Sequence, residues 1–196
     1  MLYDIIVIGD ELLIGQVADT NSGWISRHLK PYGWEVKKVL VVGDKEKDIV
    51  ASVEACMAEV DVVLVTGGLG PTKDDITKGS LMKCFGGEIY HSHEVEDNVR
   101  KIFEKRNIVM NELTLAQADV PTSCRVIQNQ VGTAPIMWFE REGKVLVSMP
   151  GVPFETETMM EREVIPQLIS RFNGGEDIEF RTFVVAGIPE SNLAIK

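Results

Sequence analysis

The stretch that decides the fold runs from Asp61 to Thr77 and reads DVVLVTGGLGPTKDDIT. It begins with the β-branched run Asp61–Thr66, which is typical of a strand buried on both faces of a parallel sheet. Glycines at positions 67, 68 and 70 break that strand, and a helical pattern from about Asp75 to Phe85 follows until Gly86-Gly87. A buried strand that passes through a glycine turn into a helix is the unit from which α/β folds are built.

Two further strands precede this stretch. Tyr3–Ile8 and Val36–Val42 are apolar runs, and helical patterns lie between the strands, one beginning at about Thr20 and one covering Lys45–Met57. Strands and helices that alternate in this order favour right-handed crossovers and a mainly parallel sheet covered on both sides. The sequence therefore predicts a three-layer, doubly wound α/β fold with strand order 2-1-3.

The second half of the chain departs from this alternation. Ser92–Arg106 is predicted as a helix with Ser92 as its N-cap, and residues 121–130 are predicted as irregular. Ile136–Glu140 and Lys144–Ser148 predict a hairpin that adds antiparallel strands to the sheet. Residues 154–172 predict a helix that Pro166 kinks or splits.

Residues 1–173 are accordingly predicted as one domain. Asn173-Gly174-Gly175 has the composition of a linker, and Glu179–Ala186 is predicted as an extra strand. A lone strand cannot bury a core, so residues 176–196 are expected to be the incomplete beginning of a following domain.

Composition excludes several classes of function. The formal net charge of −10 argues against a broad nucleic-acid surface, which needs clustered Lys and Arg. No apolar stretch is long enough to span a membrane, and the N-terminus lacks the basic region of a signal peptide. The cysteines Cys56, Cys84 and Cys124 form no CxxC pair and suit the core of a protein in a reducing compartment. We therefore expect a cytoplasmic protein that binds neither nucleic acid nor a membrane.

The turn after Asp61–Thr66 carries the strongest chemical signal. Gly67, Gly68 and Gly70 allow the backbone to approach a phosphate, with hydroxyls nearby at Thr72 and Thr77. The turn lacks the GK[ST] of a Walker A loop and the third glycine of a dinucleotide fingerprint. The carboxylates Asp74 and Asp75 instead suit a divalent cation, Mg²⁺, that bridges acidic side chains to pyrophosphate oxygens. The structural alternative is a tight turn in which Asp75 caps the following helix.

Other acidic residues follow the ends of neighbouring strands. Asp10 and Glu11 come after the first predicted strand, and Asp44 comes after the second. With strand order 2-1-3, Glu11 and Asp75 are expected to face one cleft. Asp44 has two equal interpretations, a helix cap or a metal ligand, and Asn21 similarly either caps the first helix or binds ligand. His91 and His93 form an HxH pair for which no carboxylate or cysteine stands at matching ligand spacing, so no metal site is predicted there.

Several segments together resemble one known family. They are Gly9–Leu13, Asp19-Thr20-Asn21, Gly43-Asp44, Gly67–Thr77, Gly132–Pro135 and Pro150–Pro153. In this order they resemble the N-terminal domain of the CinA (competence/damage-inducible) family, which is similar to the molybdopterin-binding MogA-like enzymes. The resemblance covers about residues 3–172 and implies a MogA-like fold, hydrolysis of ADP-ribose to AMP and ribose 5-phosphate, and a homo-oligomer.

The resemblance also assigns roles by position. It implies that Asp75 and Asp44 are metal-associated aspartates, and Asp74 is typical of the CinA branch rather than of the adenylyltransferases. Two positions depart from the family pattern: Ile136 stands where the family has Gly, and Thr156 stands where it has Met.

The leading hypothesis is therefore a Mg²⁺-dependent pyrophosphatase acting on ADP-ribose or a related nucleotide. The predicted catalytic residues are Asp75, Asp74, Glu11 and Glu155. Asp75 and Asp44 are the predicted metal ligands, with Asp74 as a further candidate, and Glu11 or Glu155 orients water. The predicted substrate-binding residues are Asn21, Gly67, Gly68, Gly70, Thr72, Thr77, Gly132, Thr133, Pro150 and Gly151. The alternatives are nucleotidyl transfer onto a pterin and a module that binds a nucleotide or pterin without cleaving it.

Overall fold

A computed structural model of the chain describes residues 1–72, 75–172, 181 and 184–193. Its main sheet has the strand order β2-β1-β3-β8-β7-β6. These strands are β1 (Leu2–Ile8), β2 (Glu35–Val42), β3 (Val62–Thr66), β6 (Arg125–Ile127), β7 (Ile136–Arg141) and β8 (Lys144–Met149). β2, β1, β3 and β8 run parallel, whereas β7 and β6 are antiparallel to their neighbours. A second, small sheet pairs β4 (Ile89–His91) with β5 (Asp119–Pro121).

Helices cover both faces of the main sheet. The α-helices are α1 (Asp10–Leu13), α2 (Asn21–Leu29), α3 (Glu46–Glu59), α4 (Thr77–Phe85), α5 (His93–Arg106), α6 (Glu112–Leu115), α7 (Pro153–Met159), α8 (Ile165–Phe172) and α9 (Glu190–Leu193). Short 3-10 helices lie at Lys30–Tyr32 and Ala116–Ala118, and a π-helical turn lies at Met160–Val164. The described residues contain no helix that is both long and apolar enough to cross a membrane.

The alternation of side chains along β1 explains why two hydrophobic layers form. Tyr3, Ile5 and Val7 point toward α2, α7 and α8, and Ile6 and Ile8 point toward α3 and α4. All five are nearly inaccessible to solvent. A strand that is apolar on both faces must lie inside a three-layer molecule, so the predicted doubly wound α/β fold with an added hairpin is confirmed.

The structure differs in detail from the prediction in three segments. Residues 121–130 are not wholly irregular, because β5 ends at Pro121 and Arg125–Ile127 forms the edge strand β6. The interruption predicted at Pro166 takes the form of the π-helical turn, which widens the backbone just before a residue without an N–H donor. Half of the strand predicted at residues 179–186 falls outside the described residues, and its described part, residues 181 and 184–186, is not in a strand.

Candidate active site

A cavity of about 500 Å³ opens at the carboxyl ends of β1, β3 and β8. This edge is where ligands collect in open α/β sheets. The structure brings to its wall most of the residues that the sequence nominates, namely Glu11, Asn21, Gly67, Gly68, Gly70, Asp75, Thr133, Pro150, Gly151 and Glu155. Four nominated residues do not line it, namely Thr72, Thr77, Gly132 and Asp44, and Asp74 lies outside the described residues.

The glycine loop, residues 67–72 after β3, has a backbone that requires glycine. Gly67 and Gly68 have φ angles of 107° and 63°, a region that side chains with a Cβ rarely adopt. A Cβ at Gly67 would overlap the carbonyl oxygen of Ile8, and one at Gly68 would overlap the hydroxyl of Thr77. Thr77 is buried, and its backbone N–H donates to the Gly68 carbonyl at 3.3 Å. The loop thus lies directly on the end of β1 and on the first turn of α4.

Asp75 holds this loop in shape. One carboxylate oxygen accepts the Gly70 N–H at 2.7 Å, and the other accepts the Thr72 N–H at 2.8 Å and the Thr72 hydroxyl at 2.5 Å. The carboxylate therefore folds back onto the glycine loop, and it does not cap α4, whose N-cap residue is Ile76 without a side-chain hydrogen bond. The oxygen that accepts only the Gly70 N–H keeps a further lone pair, so the same side chain remains able to bind a cation.

A group of carboxylates lies beside the cavity at the ends of β1 and β2. The Asp10 N–H donates to an Asp44 carboxylate oxygen at 2.9 Å, and the Asp44 N–H donates to an Asp10 carboxylate oxygen at 3.2 Å. Partial burial raises the pKa of the Asp44 carboxyl, the bond from the Asp10 amide opposes this, and the charges of Asp10, Glu11 and Asp75 raise the pKa further. We call Asp10, Glu11, Asp44 and Asp75 the acidic rim.

Asn21 occupies the floor of the cavity at the start of α2. It is 5% exposed, and its amide nitrogen donates at 2.9 Å to both the Thr66 hydroxyl and the Gly151 carbonyl. Its side-chain oxygen has no hydrogen-bond partner. The capping role falls to Asp19, whose carboxylate accepts the Ser22 N–H at 3.0 Å and also the Ser22 hydroxyl. Of the two alternatives that the sequence leaves open for Asn21, the structure thus favours the cavity, because Asn21 lines it and Asp19, which also lines it, makes the hydrogen bonds to the helix start.

Glu155 lies on the opposite wall from the acidic rim, in α7. Burial raises the pKa of its carboxyl, while the hydrogen bond from the Asn129 amide and the charge of Arg106 lower it. The Asn129 nitrogen donates to Glu155 at 2.8 Å and to the Ala134 carbonyl at 3.0 Å, and the Asn129 oxygen accepts the Gly132 N–H at 3.0 Å. A Cβ at Gly132 would collide with the Glu155 carboxylate. Gly132 therefore serves the close approach of Glu155 rather than the cavity itself.

Sequence reasoning missed two buried polar residues of the site, Asn129, which binds Glu155, and Gln117, which lines the cavity. Asn129 is fully buried and organises the loop that carries Thr133. Gln117 is 1% exposed and lines the cavity, and neither polar atom of its side-chain amide has a hydrogen-bond partner. Both stand in segments without a recognisable motif, so no local signal distinguishes them from ordinary loop residues.

The two departures from the family pattern lie away from the cavity. Ile136 is the first residue of β7 and packs, fully buried, in the layer beneath α2 and α8. The buried Thr156 hydroxyl donates to the Pro150 carbonyl at 2.5 Å, which fixes the loop after β8. Neither residue narrows the cavity.

Comparison with known proteins places this chain in a family. Residues 4–170 match the family described as "Probable molybdopterin binding domain". The chain is 42% identical to a CinA-like protein of Flavobacterium psychrophilum, over 99% of this chain and 46% of the relative. It is 41% identical to a protein of Pyrobaculum calidifontis, over 97% of this chain and 72% of that protein. The chain thus spans about half the length of the CinA-like relatives it matches.

Solved structures give the same result. The protein CinA with unknown function from Thermoplasma acidophilum is 31% identical and superposes with a TM-score of 0.77, covering 86% of this chain and 99% of that one. The molybdopterin biosynthesis enzyme MoaB from Thermus thermophilus shares only the fold, with 16% identity, a TM-score of 0.58, and 89% and 98% of the two chains covered.

Proposed function

The chain belongs to the CinA family, within the family of molybdopterin-binding domains, and on that premise we propose that it hydrolyses ADP-ribose or a related nucleotide with a divalent cation. Water adds to one phosphorus of the diphosphate while the bridging P–O bond breaks, and the departing phosphate keeps the bridging oxygen. ADP-ribose then yields AMP and ribose 5-phosphate, with the protons released to solvent. We also expect the protein to form a homo-oligomer.

The observation that carries this proposal is the polarity of the cavity. Asn21 and Gln117 present buried amide atoms without partners, and a buried polar group that lacks a hydrogen bond costs about 1–3 kcal/mol. A ligand with hydrogen-bonding edges, such as a nucleobase, would satisfy them. The cavity volume of about 500 Å³ is within the range that small-molecule sites occupy.

The acidic rim fits a divalent cation. Carboxylate oxygens are the ligands that Mg²⁺ prefers, and partial burial together with the charges of Asp10, Glu11 and Asp75 raises the pKa of Asp44. Asp44 and Asp75 are the residues that would hold the ion, with Asp10 and Glu11 beside them. When bound, such an ion neutralises phosphate charge and activates a water nucleophile.

Glu155 is placed to handle a proton. Its raised pKa keeps a larger protonated fraction near neutral pH than an exposed glutamate has, and Asn129 fixes its orientation. Glu11 lies in α1 on the other side of the glycine loop and lines the same cavity. The proposal assigns the positioning of water to one of these two residues.

Replacing Asp75 tests the proposal directly. Asp75→Asn removes a charge and leaves one acceptor oxygen where three hydrogen bonds are now accepted, so we expect ADP-ribose hydrolysis in Mg²⁺ to fall by at least about 10²-fold. Asp48→Asn, an exposed aspartate in the first turn of α3, is the matched control and should retain full activity. Circular dichroism should show both variants folded. Unchanged hydrolysis by Asp75→Asn would remove the assignment.

Nucleotidyl transfer onto a pterin is the second candidate, because amide-lined walls also complement a pterin ring. In that reaction a phosphate oxygen of the pterin attacks the α-phosphorus of ATP and pyrophosphate leaves. Incubation with ATP and molybdopterin, followed by mass spectrometry, separates the candidates: an adenylylated pterin supports transfer, and AMP from ADP-ribose supports hydrolysis. Calorimetric binding of ADP-ribose without product in any divalent metal would indicate a module that only binds.

A further inference from the structure

A cluster of two histidines and a glutamate lies outside the cavity, where the small sheet meets α5. In the antiparallel pairing of β4 and β5, His91 stands directly opposite Asp119. The chain then turns at Ser92, whose hydroxyl accepts the Val95 N–H at 3.4 Å and starts α5. This turn brings His93 and, one helical turn later, Glu96 to the same corner as His91.

The distances between the three side chains are those of a ligand set. His91 Nε2 lies 2.9 Å from Glu96 Oε2, and His93 Nδ1 lies 3.7 Å from the same oxygen. The three ligand atoms all lie within 4.8 Å of one another. Ligand atoms around a tetrahedral zinc ion stand about 3.3 Å apart, so small side-chain rotations would close these three around one ion.

Two further residues orient the ligands. Asp119 Oδ1 and His91 Nδ1 form a hydrogen bond of 2.7 Å, which leaves the lone pair of Nε2 directed at the cluster. Arg100 donates through Nε to Glu96 Oε1 at 2.9 Å and also through Nη2, so the other oxygen, Oε2, faces the imidazoles. Carboxylates that orient a ligating histidine in this way are a recurrent feature of metal sites.

We propose that His91, His93 and Glu96 bind a first-row transition-metal ion of the Zn²⁺ class, with Asp119 as the orienting residue. Imidazole nitrogen favours zinc, nickel or copper over Mg²⁺, so this site differs in ligand chemistry from the acidic rim. Three protein ligands leave a coordination position for water, as the His93 side chain is 88% exposed. The ion joins β4 to the first turn of α5.

The sequence alone gives the opposite prediction, because it pairs the HxH motif with no carboxylate. A carboxylate does stand at suitable spacing: Glu96 follows His93 by three residues and therefore lies on the same face of α5. Asp119 is distant in sequence, and only the register of β4 and β5 places it against His91.

Calorimetric titration of the untagged, chelator-treated chain with ZnCl₂ tests this proposal. We expect one tight site per chain that excess Mg²⁺ does not displace. His93→Ala should weaken Zn²⁺ binding by more than about tenfold and Asp119→Asn by about tenfold, the scale typical of ligand and outer residues. The fold should survive His93→Ala because that side chain is largely exposed.

The chain offers two matched controls. His28→Ala removes the remaining histidine, and Asp44→Asn alters the acidic rim; neither should change Zn²⁺ affinity. In a Cu²⁺-loaded sample, electron paramagnetic resonance should show coupling to two nitrogens that falls to one in His93→Ala. The proposal is overturned if wild type binds no Zn²⁺ at about 1 mM, or if His93→Ala binds it as tightly as wild type.

Discussion

Two loops close the cavity from neighbouring parallel strands, and each ends in a carboxylate. The glycine loop follows β3 and leads to Asp75, and the loop Pro150–Pro153 follows β8 and leads to Glu155. Both acids stand at or near the start of a helix and line the same cavity. Their surroundings differ in one respect: what the carboxylate oxygens already contact.

Asp75 accepts three hydrogen bonds from its own loop, whereas Glu155 accepts one from Asn129 and is partly desolvated. The N–H and O–H donors around Asp75 tie its carboxylate to the backbone of its loop, whereas burial raises the pKa of the Glu155 carboxyl. The same residue class at equivalent positions thus has two environments: Asp75 positions its loop, and Glu155 is the residue to which we assign proton handling.

The contrast between Asp75 and Glu155 depends first on the shape of the glycine loop, which Gly67→Ala would disrupt. A Cβ there would overlap the Ile8 carbonyl, and φ would have to leave 107°, so we expect the free energy of unfolding to fall by more than about 2 kcal/mol and ADP-ribose hydrolysis to be lost. Gly79→Ala in α4 is the matched control, because a Cβ there meets no atom within 4 Å. It should stabilise the protein by about 0.5–1 kcal/mol. If the urea midpoints of Gly67→Ala and wild type are equal, position 67 does not require glycine as described.

Glu155→Gln sharpens the contrast between the two acids. If Glu155 transfers a proton, its amide should reduce hydrolysis by about 10²-fold while the KM for ADP-ribose changes little. The pH dependence of stability gives a second readout. Because the folded pKa is raised above the ordinary value of 4.5, the folded state binds more protons than the unfolded state just above that pH.

Wild-type stability should therefore decline as the pH rises from 4.5 through the folded pKa, and Glu155→Gln should flatten this decline. Urea titrations over that pH interval measure it. An identical pH dependence in the two proteins would mean that burial does not act on Glu155 as described.

Regions of the molecule also differ in how well the sequence predicts them. The apolar runs of β1 and β3 and the glycines at 67, 68 and 70 predict the doubly wound fold and the glycine loop, because burial on both faces and positive φ leave local marks. The edge strand Arg125–Ile127 leaves none, since it is short, polar at one end and exists only by pairing with β7.

The site residues that the sequence predicts are likewise those with a local signature. Acids and glycines next to strand ends are visible in a sequence. Gln117, in a short 3-10 helix, and Asn129, which binds Glu155, are placed by tertiary contacts instead. Lys78, for example, fixes the backbone around Gln117 by donating to the carbonyls of Ala116, Gln117 and Asp119 at 3.3, 3.0 and 2.9 Å. Burial lowers the pKa of this lysine to about 8, yet no motif marks it.

Gln117→Met tests the smallest effect, the contribution of the amide wall to binding. Removing two buried polar atoms that have no partner should raise the free energy of unfolding by about 1 kcal/mol, while ADP-ribose binding weakens by about tenfold if the ligand satisfies those atoms. Gln128→Met is the matched control, because Gln128 also has an unpartnered buried oxygen but does not line the cavity. It should gain stability without any change in affinity. Calorimetry measures the ADP-ribose affinity of both variants, and urea unfolding measures their stability. Equal affinities for Gln117→Met and wild type would mean that the ligand does not contact Gln117.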